Sequence, residues 1–187
     1  MTELCDIAFR YGTDKCPRVK HNYTPYYYNL FKRMRNKVKK VVELGVGVPE
    51  RMQHCRFYHL GASLYMWRDF FPNAMVYGID VQPSAIFYDE RIHCFLGDER
   101  KEKTWKRVIK KAGSDIDIFI DDGSHQKEDQ IFVAKTVMPM LDKNVIYIIE
   151  DVKFPTKITN ALSDYGCETI KVSESYSDDK LLIVKHK

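Results

Sequence analysis

The feature of this sequence that most constrains its fold is an alternation of short apolar runs with longer amphipathic segments, which begins near residue 38. The apolar runs that are typical of buried strands lie at residues 38–46, 74–81, 91–98, 115–122 and 144–151. Helical periodicity marks the segments at residues 62–71, 103–112, 127–141 and 156–166. Strands that alternate with helices of this length form βαβ units, so the sequence predicts a mostly parallel sheet with helices on both faces.

The chain closes with two further strand-like runs, at residues 167–173 and 179–187. The connection between them is too short for a parallel crossover, so we expect these two strands to pair antiparallel. The predicted fold class is therefore α/β and Rossmann-like, with a mostly parallel seven-stranded sheet that ends in a C-terminal antiparallel hairpin. A length of 187 residues suits one domain, residues 1–187, with residues 1–37 as an N-terminal helical segment.

The predicted strands end in acids or glycines, at the sheet edge where open α/β sheets bind ligands. The turn after Glu43 contains Gly45 but lacks both the third glycine of a dinucleotide fingerprint and the lysine of a phosphate-binding loop. Asp80 ends the second strand, where an acid typically binds ribose hydroxyls, and Asp98 is placed for an adenine amine. This pattern favours a nucleoside without phosphates, S-adenosylmethionine (SAM), over a nicotinamide or nucleotide ligand.

The fourth and fifth predicted strands both end in a pair of acids, in "FIDD" and "IIED". If these strands are parallel neighbours, roughly 4.8 Å apart, then Asp122, Glu150 and Asp151 converge and repel one another unless a cation compensates. A cluster of carboxylate oxygens suits Mg²⁺ or Mn²⁺ better than Zn²⁺. His125 follows Asp122 closely and could act as a general base, although Asp122 could instead cap the next helix and His125 lie on the surface.

Two lysine- and arginine-rich stretches, residues 31–40 and 100–111, carry much of the positive charge of a chain whose net charge is +4. Such stretches can form a nucleic-acid face, but solvated helix faces explain them more simply, and we do not expect a nucleic-acid partner. His54, Cys55 and His59 match no zinc pattern, so we interpret their segment as a loop.

Three further features concern the cellular setting of the chain. No apolar run reaches the ~20 residues of a membrane helix, and the N-terminus lacks the apolar core of a signal peptide. The five cysteines are scattered and form no CxxC pair, which predicts free thiols. Together these features predict a cytoplasmic protein without a membrane partner.

Several motifs together resemble the metal-dependent sugar O-methyltransferases that modify macrolide deoxysugars, of the mycinamicin 2-hydroxyl O-methyltransferase type. They are "GTDK", "HNYTPYY", "VVELGVG", "SLYMWRDFFPNAMVYGID", "FIDDGSH" and "IYIIED", and they span residues 11 to 151. The resemblance implies a class I SAM-dependent methyltransferase fold, SAM and Mg²⁺ (or Mn²⁺) as cofactors, and a sugar, glycan or glycoside as acceptor. A homo-oligomer is compatible with it.

The resemblance also implies roles for individual residues. Asp122, Glu150 and Asp151 match the metal ligands, and His125 matches the catalytic base. The positions assigned to the cofactor site are Tyr23, Glu43, Gly45, Ser63, Asp80, Asp98 and Asp121. Residues 1–37 would cover the cofactor and substrate site, although the aromatic residues at 21–31 could equally pack as ordinary core.

Three other functions remain open at this point. A catechol-type small-molecule O-methyltransferase would use the same metal, commonly with a lysine as base. A non-catalytic SAM-binding protein would need neither the acid cluster nor the histidine. A nucleic-acid methyltransferase would draw on the basic stretches for binding.

Overall fold

In the computed structural model, the described residues are 1–53, 55, 57–173 and 179–187. The helices of this part of the chain are α1 (Glu3–Tyr11), α2 (Tyr23–Phe31), α3 (Ala62–Phe70), α4 (Glu102–Ala112), α5 (Lys127–Val137) and α6 (Pro155–Ala161). Its strands are β1 (Lys40–Leu44), β2 (Met75–Asp80), β3 (Tyr88–Asp89), β4 (Ile92–Leu96), β5 (Ile118–Asp121), β6 (Ile146–Ile149), β7 (Gly166–Lys171) and β8 (Lys180–Lys185).

The strands form one mixed sheet in the order β3-β4-β2-β1-β5-β6-β8-β7. The five central strands are parallel, and the β7–β8 hairpin runs antiparallel to β6. The strand order reverses at β1, which lies between β2 and β5. Ligands of open α/β sheets bind beside the carboxyl ends of the strands at such a reversal, so this edge is where a site is expected.

The predicted fold class is confirmed, and the structure adds details that the sequence pattern did not reveal. The two-residue strand β3 pairs with β4 as an eighth strand, and it is too short to produce a periodic signal. Helix α5 ends at Val137 and continues as one turn of 3₁₀-helix, Met138–Met140, with Pro139 inside that turn. Helix α6 ends at Ala161, several residues before the glycine that we expected to stop it.

The sheet is covered by helices on both faces. Side chains of α1, α2 and α3 pack on one face, which we call the N-terminal face, and side chains of α4, α5 and α6 pack on the other. Trp67 and Trp105 are fully buried, one on each face, as the helical pattern predicts. Alternate residues of each strand therefore enter different cores, and this alternation decides which face an acid at a strand end reaches.

The structure also bears on the expectations about His54, the cysteines and membrane helices. His54 and most of the connection between β7 and β8 lie outside the described residues. All five cysteines are free thiols. In the described part of the chain, none of the helices combines the length and the apolar character that crossing a membrane requires.

Candidate active site

Three acids reach the N-terminal face of the sheet at its carboxyl edge. Val41, Ile120 and Ile148 belong to the core on that face. Glu43, Asp122 and Glu150 each follow one of these residues by two positions, so the period of the strand places all three carboxylates on the same side. The strands β1, β5 and β6 are adjacent, and the Glu150 N–H donates to the Asp121 carbonyl at 2.9 Å.

A lysine from the N-terminal segment enters this acid cluster. Lys15 is 1% exposed, and its Nζ lies 2.5 Å from both Asp122 Oδ2 and Glu150 Oε2. The same atom lies 3.6 Å from Glu43 Oε1. Burial acts to lower the pKa of Lys15, but the charges of Asp122 and Glu150 prevail and hold it well above its usual value. Lys15 is therefore a permanent cation within the cluster.

Two tyrosines of α2 complete the surroundings of the acids. The Tyr23 hydroxyl donates to Asp151 Oδ1 at 2.5 Å, and the Tyr27 hydroxyl donates to Glu150 Oε1 at 2.5 Å. Burial raises the pKa of both tyrosines above the usual range, and the neighbouring carboxylates add to this effect, so both hydroxyls remain donors. Residues of the N-terminal segment thus fix the carboxylates of three strand ends.

His125 contacts two acids at once. Its Nε2 lies 3.1 Å from Asp122 Oδ1, and its Nδ1 lies 3.3 Å from Asp151 Oδ2. The described non-glycine residues with positive φ are His125 (59°) and Asp151 (51°). Such backbone conformations are costly for residues with a Cβ and are concentrated at functional sites. The two loops that follow β5 and β6 are therefore held in unusual conformations that bring these side chains together.

The pKa values of the clustered groups are shifted by an excess of negative charge. Burial raises the pKa of Glu150 and Asp151, and the nearby Asp122 charge acts in the same direction. Burial would also raise the pKa of Asp122, but the Lys15 ammonium outweighs it and the pKa falls to about 2. Burial lowers the pKa of His125, yet its hydrogen bond to Asp122 and the acidic charges raise it to about 9. Without another cation, the excess of negative charge favours the protonated forms of Glu150, Asp151 and His125, while Asp122 stays ionised beside Lys15.

The donor set fits a divalent cation. Ligand atoms of Asp122, His125 and Asp151 all lie within 4.8 Å of one another. When every group is ionised, the carboxylates of Glu43, Asp122, Glu150 and Asp151 exceed the charges of Lys15 and His125 by two. Carboxylate oxygens are the ligands that Mg²⁺ and Mn²⁺ prefer, and Mn²⁺ also accepts imidazole. Glu150 lies behind these groups, with its two oxygens bonded to Lys15 and Tyr27.

Two adjoining cavities, of about 410 and 340 Å³, run along the carboxyl edge of the sheet. Gly45 and Asp80 line both cavities, Asp98 lines the larger one, and Ser63 lines the smaller one beside the acid cluster. Asp122, His125 and Asp151 also line the smaller cavity. The arrangement offers one elongated cleft with acids along its larger part and a group of candidate metal ligands at its other end.

Gly45 sits where the turn after β1 touches the end of β5. Its φ is 90°, and a Cβ built there would lie 1.9 Å from the Asp122 carbonyl oxygen. Only glycine fits such a position. Asp80 fixes the same turn, because its Oδ2 accepts the N–H groups of Val46 and Gly47 at 3.0 and 3.1 Å.

Three residues assigned to the cofactor site from the sequence line neither cavity. Glu43 is fully buried and accepts hydrogen bonds from Ser63 Oγ and Trp67 Nε1. Tyr23 is 1% exposed and bonds Asp151. Asp121 points to the opposite face of the sheet, where the Tyr147 hydroxyl donates to it at 3.0 Å. The structure places these three residues behind the cleft walls, and their roles toward a cofactor stay predictions.

Lys15 is the site residue that the sequence did not reveal. It lies in the GTDK motif, between α1 and α2, where no periodic pattern indicates a side-chain direction. The signal that could have found it is electrostatic, because a buried cluster of acids needs a cation and one motif lysine was left without a role. Cys55 and His59 lie between β1 and α3, outside any helix or strand, and among the described residues they belong to no group of candidate metal ligands.

Comparisons with known proteins identify relatives of the chain and confirm its fold. No protein-family model matches the chain. A tetracenomycin-C rhamnosyl 3'-O-methyltransferase of Streptomyces olivaceus is 34% identical over 149 residues, which are 80% of this chain and 36% of that protein. The mycinamicin VI 2''-O-methyltransferase of Micromonospora griseorubida is 32% identical over 149 residues, with the same two shares. The chain thus spans about a third of the length of the curated relatives it matches.

Among solved structures, the MycE methyltransferase of the mycinamycin biosynthetic pathway is similar over 100% of this chain and 55% of its own chain, with a TM-score of 0.75 and 24% identity. That protein was solved in complex with Mg, SAH and mycinamycin VI. A fungal methyltransferase from Podospora anserina, solved with SAH bound, has a TM-score of 0.64 at 12% identity over 100% of this chain and 89% of its own. These likenesses show that the chain has the Rossmann-like methyltransferase fold.

Proposed function

Because the chain is a homologue of sugar O-methyltransferases and has the class I methyltransferase fold, we propose that it transfers the methyl group of SAM to a sugar hydroxyl. The observation that carries this proposal is the meeting of Asp122, His125 and Asp151 at one end of a cleft whose other end offers acids and a glycine turn. The acceptor class is a sugar, glycan or glycoside, in keeping with the relatives' names.

We assign the larger cavity and the glycine turn to the cofactor. Gly45 allows the ligand to approach the backbone closely, and Asp80 and Asp98 supply acceptors for hydroxyl and amine groups. Ser63 borders the junction with the acid cluster. Tyr23 and Glu43 would support the site from behind, through their hydrogen bonds to Asp151 and Ser63 in its walls. Asp121 would act only indirectly, since its side chain bonds Tyr147 on the opposite face of the sheet.

We assign the acid cluster to a divalent cation, Mg²⁺ or Mn²⁺, with Asp122, Glu150 and Asp151 as its carboxylate ligands. Glu150 would have to exchange its bond to Lys15 or Tyr27 for the cation, whereas Asp122 and Asp151 already face the cavity. When bound, the cation would lower the pKa of a coordinated sugar hydroxyl, as metals do for water. His125 would accept the hydroxyl proton, and this role requires that one of its two carboxylate contacts is exchanged for the acceptor. The deprotonated oxygen attacks the methyl carbon, the bond from that carbon to sulfur breaks, and S-adenosylhomocysteine leaves.

The N-terminal segment, residues 1–37, would cover the site. It supplies Lys15, Tyr23 and Tyr27 to the acid cluster, and Thr13, Asp14 and Lys20 to the smaller cavity. Holding the reactants under such a cover favours methyl transfer mainly by positioning them and excluding water.

One observation argues against the catechol-type alternative. That reaction commonly uses a lysine as base, and Lys15 is the lysine that reaches the acid cluster. Its ammonium is bonded to Asp122 and Glu150, and its raised pKa keeps it protonated, so it cannot accept a proton at neutral pH. His125 is also protonated at neutral pH in the metal-free cluster, because its contacts with Asp122 and Asp151 raise its pKa to about 9. A cation bound to these two carboxylates would remove that effect, so His125 is the group that could become a base once the site is loaded.

The test is a methylation assay with labelled SAM and Mg²⁺ over a panel of glycosides, oligosaccharides and nucleotide sugars. We expect label in at least one sugar acceptor, loss of transfer with EDTA, and recovery with Mg²⁺. His125→Ala should keep SAM binding in calorimetry and lose turnover by about 10²- to 10⁴-fold, the usual contribution of a general base.

His59→Ala is the matched control. His59 is exposed and lies outside the acid cluster, so this variant should retain turnover. Full turnover in His125→Ala would contradict the role of base, and transfer that is indifferent to EDTA and Mg²⁺ would contradict the metal.

A further inference from the structure

Lys15 is a buried cation within the very carboxylates that we assign to a divalent metal. Its Nζ contacts Asp122 Oδ2 and Glu150 Oε2 at 2.5 Å, and the opposite oxygen of Asp122 faces His125. One oxygen of Asp122 thus contacts the positive charge of Lys15, and its other oxygen belongs to the cluster with His125 and Asp151. A metal bound to that cluster would compete with Lys15 for the same acid.

The backbone around Lys15 holds the ammonium in place. The Lys15 carbonyl oxygen accepts the N–H groups of Tyr23 and Thr24 at 3.2 and 3.1 Å, at the start of α2. Both of these residues are buried, and α2 packs into the core on the N-terminal face of the sheet. The backbone of Lys15 is therefore fixed against α2, and its side chain, which is 2% exposed, is enclosed between α2 and the acids.

We propose that Lys15 sets the cation affinity of this site, as an internal counter-ion that positions Asp122 and Glu150 and weakens divalent binding so that the site loads reversibly. The proposal rests on the proposed function, since it concerns the same metal site. Charges of +1 and +2 that share one carboxylate would repel, even with water-like screening, by enough to weaken affinity about tenfold. When the Lys15 ammonium is removed, the negative charges of Asp122 and Glu150 lose their partner, and a metal can then neutralise them.

The variant Lys15→Met tests this with Mn²⁺ alone, without SAM or acceptor. Free Mn²⁺ is measured by electron paramagnetic resonance during a titration of the purified full chain. We expect Lys15→Met to bind Mn²⁺ at least about tenfold more tightly than the wild type. A residue with a purely structural role would instead leave the affinity unchanged or reduce it, and either result would overturn the proposal.

Lys40→Met is the matched control, because Lys40 makes an equally short ion pair, 2.5 Å to Asp115 Oδ1, near the start of β1 and away from the cluster. The Mn²⁺ affinity of Lys40→Met should equal that of the wild type. If Lys15→Met does not fold without metal, circular dichroism during a Mn²⁺ titration replaces the affinity measurement. Recovery of folding by Mn²⁺ supports the proposal, and failure to recover at any concentration overturns it.

The outcomes separate this proposal from the proposed function. A wild-type chain that binds no Mn²⁺ would contradict the metal dependence of the proposed methyl transfer, and Lys15 would have no affinity to set. A wild type that binds Mn²⁺ with the same affinity as Lys15→Met would overturn only the role of Lys15.

Discussion

At the scale of single residues, the neighbouring acids Asp121 and Asp122 show how far one position along a strand changes the chemistry of a carboxylate. Asp122 faces Lys15 and His125, and its pKa is lowered to about 2. Asp121 faces the other side of the sheet, where burial and the charge of Glu99 raise its pKa to about 8. One acid is a permanent anion in the cleft, and the other is a protonated acid in the core near neutral pH.

Asp121→Asn should change how stability depends on pH. The folded-state pKa of Asp121 is raised, from 3.8 to about 8, so its contribution is fully present below pH 3.8 and is lost as pH rises to about 8. Over that window the group alone lowers the free energy of unfolding by about 1.4 kcal/mol per pH unit. We expect Asp121→Asn to lack this part of the decline in the free energy of unfolding with rising pH. Urea unfolding in EDTA at pH 5, 6, 7 and 8 measures it.

The matched control is Asp115→Asn. Asp115 is an exposed acid whose pKa is lowered by its hydrogen bond to Lys40, so it does not titrate in this range and the variant should follow the wild-type slope. A wild-type slope in Asp121→Asn would contradict the raised pKa of the buried acid.

The sequence predicted Asp122 and Asp151 in the cluster for a physical reason. Two apolar runs that end in acids must lie side by side if they are neighbouring parallel strands, and the cluster follows from that register. The sequence did not indicate which face each acid would reach, because this depends on where the helices pack. For the same reason it did not show that the Asp121 side chain lies on the opposite face of the sheet or that Lys15 enters the cluster.

At the scale of elements, the site depends on the contact between the turn after β1 and the end of β5. Gly45 N–H donates to the Ile79 carbonyl at 2.8 Å, and Asp122 N–H donates to the Leu44 carbonyl at 3.0 Å. These bonds continue the pairing of β1 with its two neighbours past the strand ends. The turn therefore positions Asp122 and at the same time forms the wall shared by both cavities.

Gly45→Ala should damage both stability and cofactor binding. The added Cβ would overlap the Asp122 carbonyl oxygen, and φ is 90°, so the turn must move away from β5. We expect a loss of roughly 1–3 kcal/mol or more in the free energy of unfolding and a large loss of SAM affinity in calorimetry.

Gly166→Ala serves as the control for this substitution. A Cβ at Gly166 would meet only the Lys185 carbonyl oxygen at 3.8 Å, an ordinary contact, so the variant should bind SAM as the wild type does. Unchanged SAM affinity in Gly45→Ala would show that the turn is not part of the cofactor site.

At the scale of the whole molecule, the order of parallel strands and helices could be predicted because each element repeats a periodic pattern of apolar residues. The structure of the N-terminal segment, residues 1–37, was harder to predict from the sequence. Its two helices have nine residues each, and the aromatic run of α2 contains both fully buried and partly buried tyrosines, so no single stripe marks its buried face. That segment turned out to supply the buried donors of the acid cluster, through long-range contacts that no local pattern encodes.

The acid cluster joins four separated parts of the chain: the N-terminal segment, β1, and the ends of β5 and β6. A cation bound there should therefore stabilise the whole fold, by about 2.7 kcal/mol at 100 times its dissociation constant. We expect Mn²⁺ or Mg²⁺ to raise the melting temperature in differential scanning fluorimetry, and Asp122→Asn to lose most of this increment. Asp115→Asn should retain it. An equal increment in Asp122→Asn and the wild type would place the cation elsewhere, because Asp122 is the acid that both Lys15 and His125 contact.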